Sequence, residues 1–126
     1  MDKKKILIID DDPDFCAYLA ALIRHHGYDV IQAGDGVSAM HSAVAEKPDL
    51  ILLDLGIPAG NGYITLRRIR EHPFLAGVPV FIISGKDPDE NEGRSYDTGA
   101  EVYFEKPCNP EQLLSTIQST LVPHHV

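Results

Sequence analysis

Short apolar runs alternate with amphipathic stretches five times along this chain, and that alternation constrains the fold more than any other feature. It predicts an α/β domain of three layers, α/β/α, with a five-stranded parallel sheet between two layers of helices. Strands are expected over residues 5–9, 28–33, 49–53, 78–83 and 101–104. The first, third and fourth contain the near-continuous apolar runs Ile6-Leu7-Ile8-Ile9, Leu50-Ile51-Leu52-Leu53 and Val80-Phe81-Ile82-Ile83, as strands buried on both faces do. The second carries Asp29 and Gln32 and the fifth begins at Glu101, which suits edge positions. Right-handed crossovers with those edges allow the strand order 2-1-3-4-5.

Helix punctuation supports the same partition. Asp12 is a natural N-cap with Pro13 at the first helical position, and Phe15, Leu19, Leu22 and Ile23 form an apolar stripe ended by Gly27. Asp35 caps a second helix with Val37, Met40 and Val44 as its expected inner face, stopped by Pro48. After the loop at residues 56–60, Asn61 caps a third helix carrying Tyr63, Leu66 and Ile69. Asn109, Pro110 and Gln112 open the last helix, with Leu113, Leu114, Ile117 and Leu121 facing inward. Residues 86–95 contain no aliphatic or aromatic side chain. A helix there, before the last strand, is expected to be short and loosely held.

The polar residues at the ends of those runs suggest function. Asp10 and Asp11 follow the first run, Asp54 the third and Ser84 the fourth, while Lys106 lies just past Val102-Tyr103-Phe104 and before Pro107. In a parallel sheet all of them emerge at the carboxyl edge, where open α/β sheets bind ligands. In the order 2-1-3-4-5 the chain reverses between the first and third strands, so Asp10, Asp11 and Asp54 flank one crevice.

Length and composition narrow the classes further. The 126 residues suit one domain. The net charge of −8 argues against a nucleic-acid surface, which needs a basic patch. No apolar run approaches the roughly 18 residues of a membrane span. The N-terminus lacks the longer apolar stretch of a signal peptide, so a cytoplasmic location is expected. Cys16 and Cys108 fit no metal spacing and read as small packing residues. His124 and His125 read as tail residues.

The crevice suits a hard divalent cation and a phosphoryl group. Mg²⁺ prefers oxygen ligands and retains several waters, so one or two carboxylates plus a phosphate oxygen serve it well. Asp11 and Asp54 can supply direct oxygens, Asp10 can act directly or through water, and the Gly56 backbone carbonyl can turn toward the same ion. Mn²⁺ is compatible with these ligands. Asp54 can also accept a phosphoryl group as an acyl phosphate. Catalysis of that transfer is mostly positioning and charge neutralisation, which Lys106, Ser84 and nearby backbone N–H groups can provide. Gly85 adds no bulk that would block Asp54.

In this set of residues, taken in order and at these spacings, the chain resembles the receiver domain of bacterial two-component response regulators. The resemblance runs over residues 4–121, leaving 122–126 as a tail or the start of a linker. It implies a flavodoxin-like strand order and phosphoryl transfer to Asp54 from the phosphohistidine of a sensor histidine kinase or phosphotransfer protein. It also implies Mg²⁺ held by Asp11, Asp54 and the Gly56 carbonyl with Asp10 assisting, a switch pair of Ser84 and Tyr103, and a cis peptide before Pro107. Gly56 and Lys86 stand where the family tunes phosphoryl lifetime. The output would pass through the last strand and the helices flanking it to a downstream protein or an effector domain.

Two other readings use the same residues. Asp10 with Asp12 two residues later resembles the nucleophile and acid of a haloacid-dehalogenase-like phosphohydrolase. That family also needs a late acid pair, and only Glu111 follows Lys106. A phosphorylation-independent interaction module would be expected to have lost part of the acid pair, Asp54 or Lys106, and all are present.

Overall fold

The computed structural model describes residues 3–57, 62–85 and 100–122. Asn61, residues 86–95 and the tail from residue 123 lie outside the described residues. Nine elements are described: β1 (Lys5–Ile9), α1 (Pro13–His25), β2 (Asp29–Ala33), α2 (Gly36–Glu46), β3 (Leu50–Leu53), α3 (Gly62–Glu71), β4 (Val80–Ser84), β5 (Val102–Glu105) and α4 (Pro110–Leu121). The strands form one sheet in the order β2-β1-β3-β4-β5, with every neighbouring pair parallel.

Alternate residues of each central strand face opposite helical layers, which is the period-two rule of a strand. Ile6, Ile8, Leu50, Leu52, Phe81 and Ile83 pack with Leu19 and Ile23 of α1 and with Leu113, Leu114 and Ile117 of α4. Leu7, Ile9, Ile51, Leu53, Val80 and Ile82 pack with Ala39 and Ala43 of α2 and with Tyr63, Leu66 and Ile69 of α3. Every residue of β3 and β4 is buried, whereas β2 exposes Asp29 and Gln32 and β5 exposes Glu105.

Local punctuation matches the chemistry of the caps. The Asp12 carboxylate accepts the N–H groups of Asp14 and Phe15 at 3.0 and 3.2 Å. Asp35 accepts from the Ser38 N–H at 2.8 Å, and Asn109 accepts from Glu111 and Gln112 at 2.9 and 3.1 Å. Gly27 leaves α1 at φ +94°, a conformation that costs other residues a Cβ clash.

One helix face differs from expectation. Gly36, Ala39 and Ala43 are the buried residues of α2, while Val37 is 65% exposed and Val44 38% exposed, with Met40 half-buried beside the core. The two stripes are one residue apart, a rotation of about 100°. The small side chains let the helix lie close on the sheet and beside α3, and Val37 and Val44 turn outward. Strand ends also shift. β4 runs through Ser84, and β5 starts at Val102, one residue later than expected. Glu101 therefore precedes the strand, and its carboxylate meets Arg70 at 3.2 Å. That guanidinium also donates to the carbonyls of Ala76 and Val78, tying the end of α3 to the approach to β4.

Candidate functional site

The carboxyl ends of β1 and β3 lie side by side, with Ile9 opposite Leu53. Asp10 and Asp54 are the next residues on each, and the Asp54 N–H donates to the Ile9 carbonyl at 2.8 Å. The Asp10 N–H donates to the Ala33 carbonyl at 3.0 Å, so its backbone is held from the β2 side as well. Parallel pairing thus fixes both acids at one edge. Asp11 follows on the exposed side, and carboxylate oxygens of Asp10, Asp11 and Asp54 lie within 4.8 Å of one another.

Lys106 completes the cluster from β5. Its N–H donates to the Ser84 carbonyl at 2.9 Å, which anchors the residue at the end of β4. Its ammonium lies 2.7 Å from Asp10 Oδ2 and 3.4 Å from Asp54 Oδ2. The remaining oxygens are also used: Asp10 Oδ1 accepts the Asp12 N–H at 2.9 Å, and Asp54 Oδ1 accepts the Gly56 N–H at 3.0 Å. The Lys106–Pro107 peptide is cis.

Burial sets the electrostatics. Desolvation pushes the Asp10 carboxyl above its ordinary value and the Asp54 charge adds to this, against the opposing hydrogen bonds from Lys106 and the Asp12 N–H. Burial alone would lower the Lys106 ammonium, but its hydrogen bond to Asp10 and the charges of Asp54 and Asp10 outweigh burial and hold it above its ordinary value. Lys106 is therefore a fixed cation at neutral pH. The buried thiol of Cys16 is raised to about 11, by burial first and then by the Asp10 charge. It donates to the Asp10 carbonyl at 3.2 Å and acts as a packing residue, not a nucleophile.

The structure therefore brings Asp10, Asp11, Asp54 and Lys106 together. Ser84 is fully buried at the end of β4, joined to Lys106 through its backbone. Tyr103 is half-buried beside the core on β5, opposite Ile82. At Gly56 an added Cβ would lie 3.6 Å from Asp54 Oδ1, an ordinary contact, so a side chain there would border the Asp54 carboxylate. An added Cβ at Gly85 would meet nothing within 4 Å. Phe15 belongs to the apolar stripe of α1, yet its ring centroid lies 4.3 Å from the Lys106 ammonium. The available signal was its position, three residues into a helix that starts beside the acids.

The family model for the response regulator receiver domain matches residues 6–118. Protein PilH of Pseudomonas aeruginosa is 34% identical over 117 residues, which cover 93% of this chain and 97% of that protein. The DNA-binding dual master transcriptional regulator RpaA of Synechocystis sp. is 35% identical over 117 residues, covering 93% of this chain and 48% of that protein. The chain thus spans about half the length of RpaA and nearly all of PilH. Among solved structures, the receiver domain of the sensor histidine kinase PA1611 from Pseudomonas aeruginosa superposes with a TM-score of 0.86 at 27% identity, over 94% of this chain and 97% of that one. That crystal structure has a magnesium ion coordinated in its active-site cleft. With parallel strands in the order 2-1-3-4-5 and an acidic pocket at their carboxyl edge, this chain belongs to the receiver family of two-component response regulators.

Proposed function

We propose that Asp54 accepts a phosphoryl group from the phosphohistidine of a sensor histidine kinase or a phosphotransfer protein, and that the product switches a protein-interaction surface. The observation that carries this reading is the placement of one ammonium, Lys106, between Asp10 and Asp54 at the sheet edge. In the transfer an Asp54 oxygen bonds to phosphorus as the phosphorus–nitrogen bond breaks, and the departing imidazole nitrogen takes a proton. Lys106 and the Ser84 hydroxyl would donate to phosphoryl oxygens as negative charge spreads over them. Family membership displaces the phosphohydrolase reading of Asp10.

The donor set fits Mg²⁺, with Mn²⁺ as a substitute: three carboxylates in reach of one another, all hard oxygen, with no soft ligand among the clustered groups. Asp11, Asp54 and the Gly56 carbonyl would hold the ion, with Asp10 assisting. Bound there, Mg²⁺ supplies positive charge for the carboxylates and for a phosphoryl oxygen. A ligand that binds only the folded chain stabilises it by about 2.7 kcal/mol at a hundred times its Kd. Titrating Mg²⁺ is therefore expected to raise the melting temperature, with Asp11→Asn needing more Mg²⁺ for the same rise. A rise no larger than that given by a monovalent salt at equal ionic strength would remove the metal site.

On this reading residues 4–121 are the receiver unit of a cytoplasmic signalling protein, and 122–126 a tail or the start of a linker. Among the described residues no helix is long and apolar enough to cross a membrane. Phosphorylation adds about −1.5 to −2 charges and three acceptor oxygens at Asp54. Ser84 would move toward a phosphoryl oxygen and Tyr103 would turn inward, biasing a two-state surface that includes β5 and α4 toward a downstream protein or effector domain.

The test uses a small acyl phosphate, Mg²⁺ and intact mass. The chain should gain one phosphoryl group, and Asp54→Asn none. Label retained in Asp54→Asn but lost in Asp10→Asn would overturn the assignment. No label on the unaltered chain would leave an interaction module that works without phosphorylation.

A further inference from the structure

Outside the phosphoacceptor itself, the least expected contact at the site is aromatic. The Lys106 ammonium is bounded by Asp10 Oδ2 at 2.7 Å, by Asp54 Oδ2 at 3.4 Å and by the ring of Phe15, whose centroid is 4.3 Å away. An ammonium carries three N–H donors and accepts nothing. Two sides of this one face carboxylates, and the ring covers another, where water or a further acceptor would otherwise sit.

We propose that Phe15 is a positioning residue for phosphoryl transfer, a cation–π wall that keeps the Lys106 ammonium over Asp54. The proposal rests on the reading of Asp54 as phosphoacceptor. The ring attracts the cation through its quadrupole without accepting a directed hydrogen bond. A carboxylate or water in its place would fix one N–H and have to release it before Lys106 could donate to a phosphoryl oxygen. With a ring on that side the ammonium stays in place while its donors turn. The 2.7 Å bond to Asp10 holds the ammonium in place, and the 3.4 Å contact to Asp54 is long enough to be released for a phosphoryl oxygen.

The backbone ties the ring to the acids. The Phe15 N–H donates to Asp12 Oδ1 at 3.2 Å, and the Asp12 N–H donates to Asp10 Oδ1 at 2.9 Å. Asp12 is thus more than a helix cap. It sets the first turn of α1 on the carboxylate that holds the ammonium, and Phe15 comes with it. The ring is half-buried against the α1–α4 core layer, which restricts its motion.

The experiment measures the rate at which a small acyl phosphate, with Mg²⁺, labels the unaltered chain, Phe15→Leu, Phe15→Tyr, Lys106→Met and the Phe15→Leu/Lys106→Met double variant. All are read by intact mass at a temperature where circular dichroism shows each folded. Phe15→Leu keeps apolar bulk and removes the quadrupole, so labelling should slow about three- to tenfold, the range of a partly desolvated cation–π contact. Phe15→Tyr, which keeps a ring face, should stay within about twofold of the unaltered chain. In the Lys106→Met background Phe15→Leu should cost nothing further, because the cation is gone.

Equal slowing in Leu and Tyr, no slowing in Leu, or an unchanged loss in the Lys106→Met background would each overturn the wall. If Lys106→Met labels too slowly to measure, the contrast between Leu and Tyr decides alone. An unaltered chain that gains no phosphoryl group overturns the phosphoacceptor reading and the wall with it. Normal labelling of both the unaltered chain and Phe15→Leu overturns the wall only.

Discussion

Gly62→Ala is expected to destabilise the domain by about 3 kcal/mol, at the upper end for an overpacked position, and to lower its melting temperature by about 10 °C. Gly62 opens α3, and its N–H donates to the Leu55 carbonyl at 3.0 Å. A Cβ built there would lie 2.3 Å from Leu55 Cα, 2.8 Å from the Asp54 carbonyl oxygen and 2.9 Å from the Leu55 carbonyl carbon. All three neighbours are backbone, so no flexible side chain can give way. Helix propensity favours alanine over glycine by about 1 kcal/mol in a helix interior, and the clash must exceed that gain.

The consequence reaches the site, because the crowded backbone is that of Asp54 and its neighbour Leu55. Relieving the clash means moving α3 away from β3 or moving the Asp54–Leu55 peptide. The second displaces a carboxylate whose oxygens lie beside the Gly56 N–H and the Lys106 ammonium. Slower labelling of Asp54 should therefore accompany the lost stability. Gly77→Ala is the control: nothing lies within 4 Å of its Cβ position, so its effect should be near zero or slightly stabilising. Denaturant unfolding of both variants checks the pair, and a Gly62→Ala chain as stable as Gly77→Ala would refute the close approach.

The central strands were legible because burial on both faces removes alternation from the sequence. β1, β3 and β4 read as unbroken apolar runs, and the polar residues of β2 marked its place at the edge. The acids were legible for a related reason, since a carboxylate directly after such a run has to emerge at the strand end. The face of α2 was not. Val37, Met40 and Val44 carry more hydrophobicity than Gly36, Ala39 and Ala43, but close packing between a helix and a sheet selects small side chains, and hydropathy does not encode that choice. Arg70 gave no sequence signal either, because its partners at Ala76, Val78 and Glu101 meet only in three dimensions. Phe15 was legible as apolar and illegible as a neighbour of Lys106, which lies ninety-one residues further along the chain.

Lys106→Met is expected to slow labelling of Asp54 by about a hundredfold, the usual loss when one preorganised donor to a developing charge is removed. It is also expected to cost about 1–3 kcal/mol of stability at neutral pH. Removing one partner of a wholly buried pair costs about 3–5 kcal/mol, and the Lys106 side chain is 22% exposed, so solvent screens part of the effect. The sign of the pH dependence follows from Asp10, whose side chain is only 3% exposed. Burial already raises its carboxyl above the ordinary 3.8, and the Lys106 hydrogen bond is the largest influence opposing that rise. Without the ammonium the folded-state value climbs further, so the folded variant holds a proton more tightly than the unfolded chain does. Its stability must then fall as the pH rises from 3.8 through the folded-state value, and the penalty must vanish once the pH drops below 3.8 and Asp10 is protonated in both states. The deficit relative to the unaltered chain should accordingly be larger at pH 7 than at pH 4, read from denaturant midpoints at each pH. Equal deficits at the two pH values would mean that the loss comes from other contacts of the lysine side chain, such as that of its ammonium with the Phe15 ring, and not from an uncompensated carboxylate.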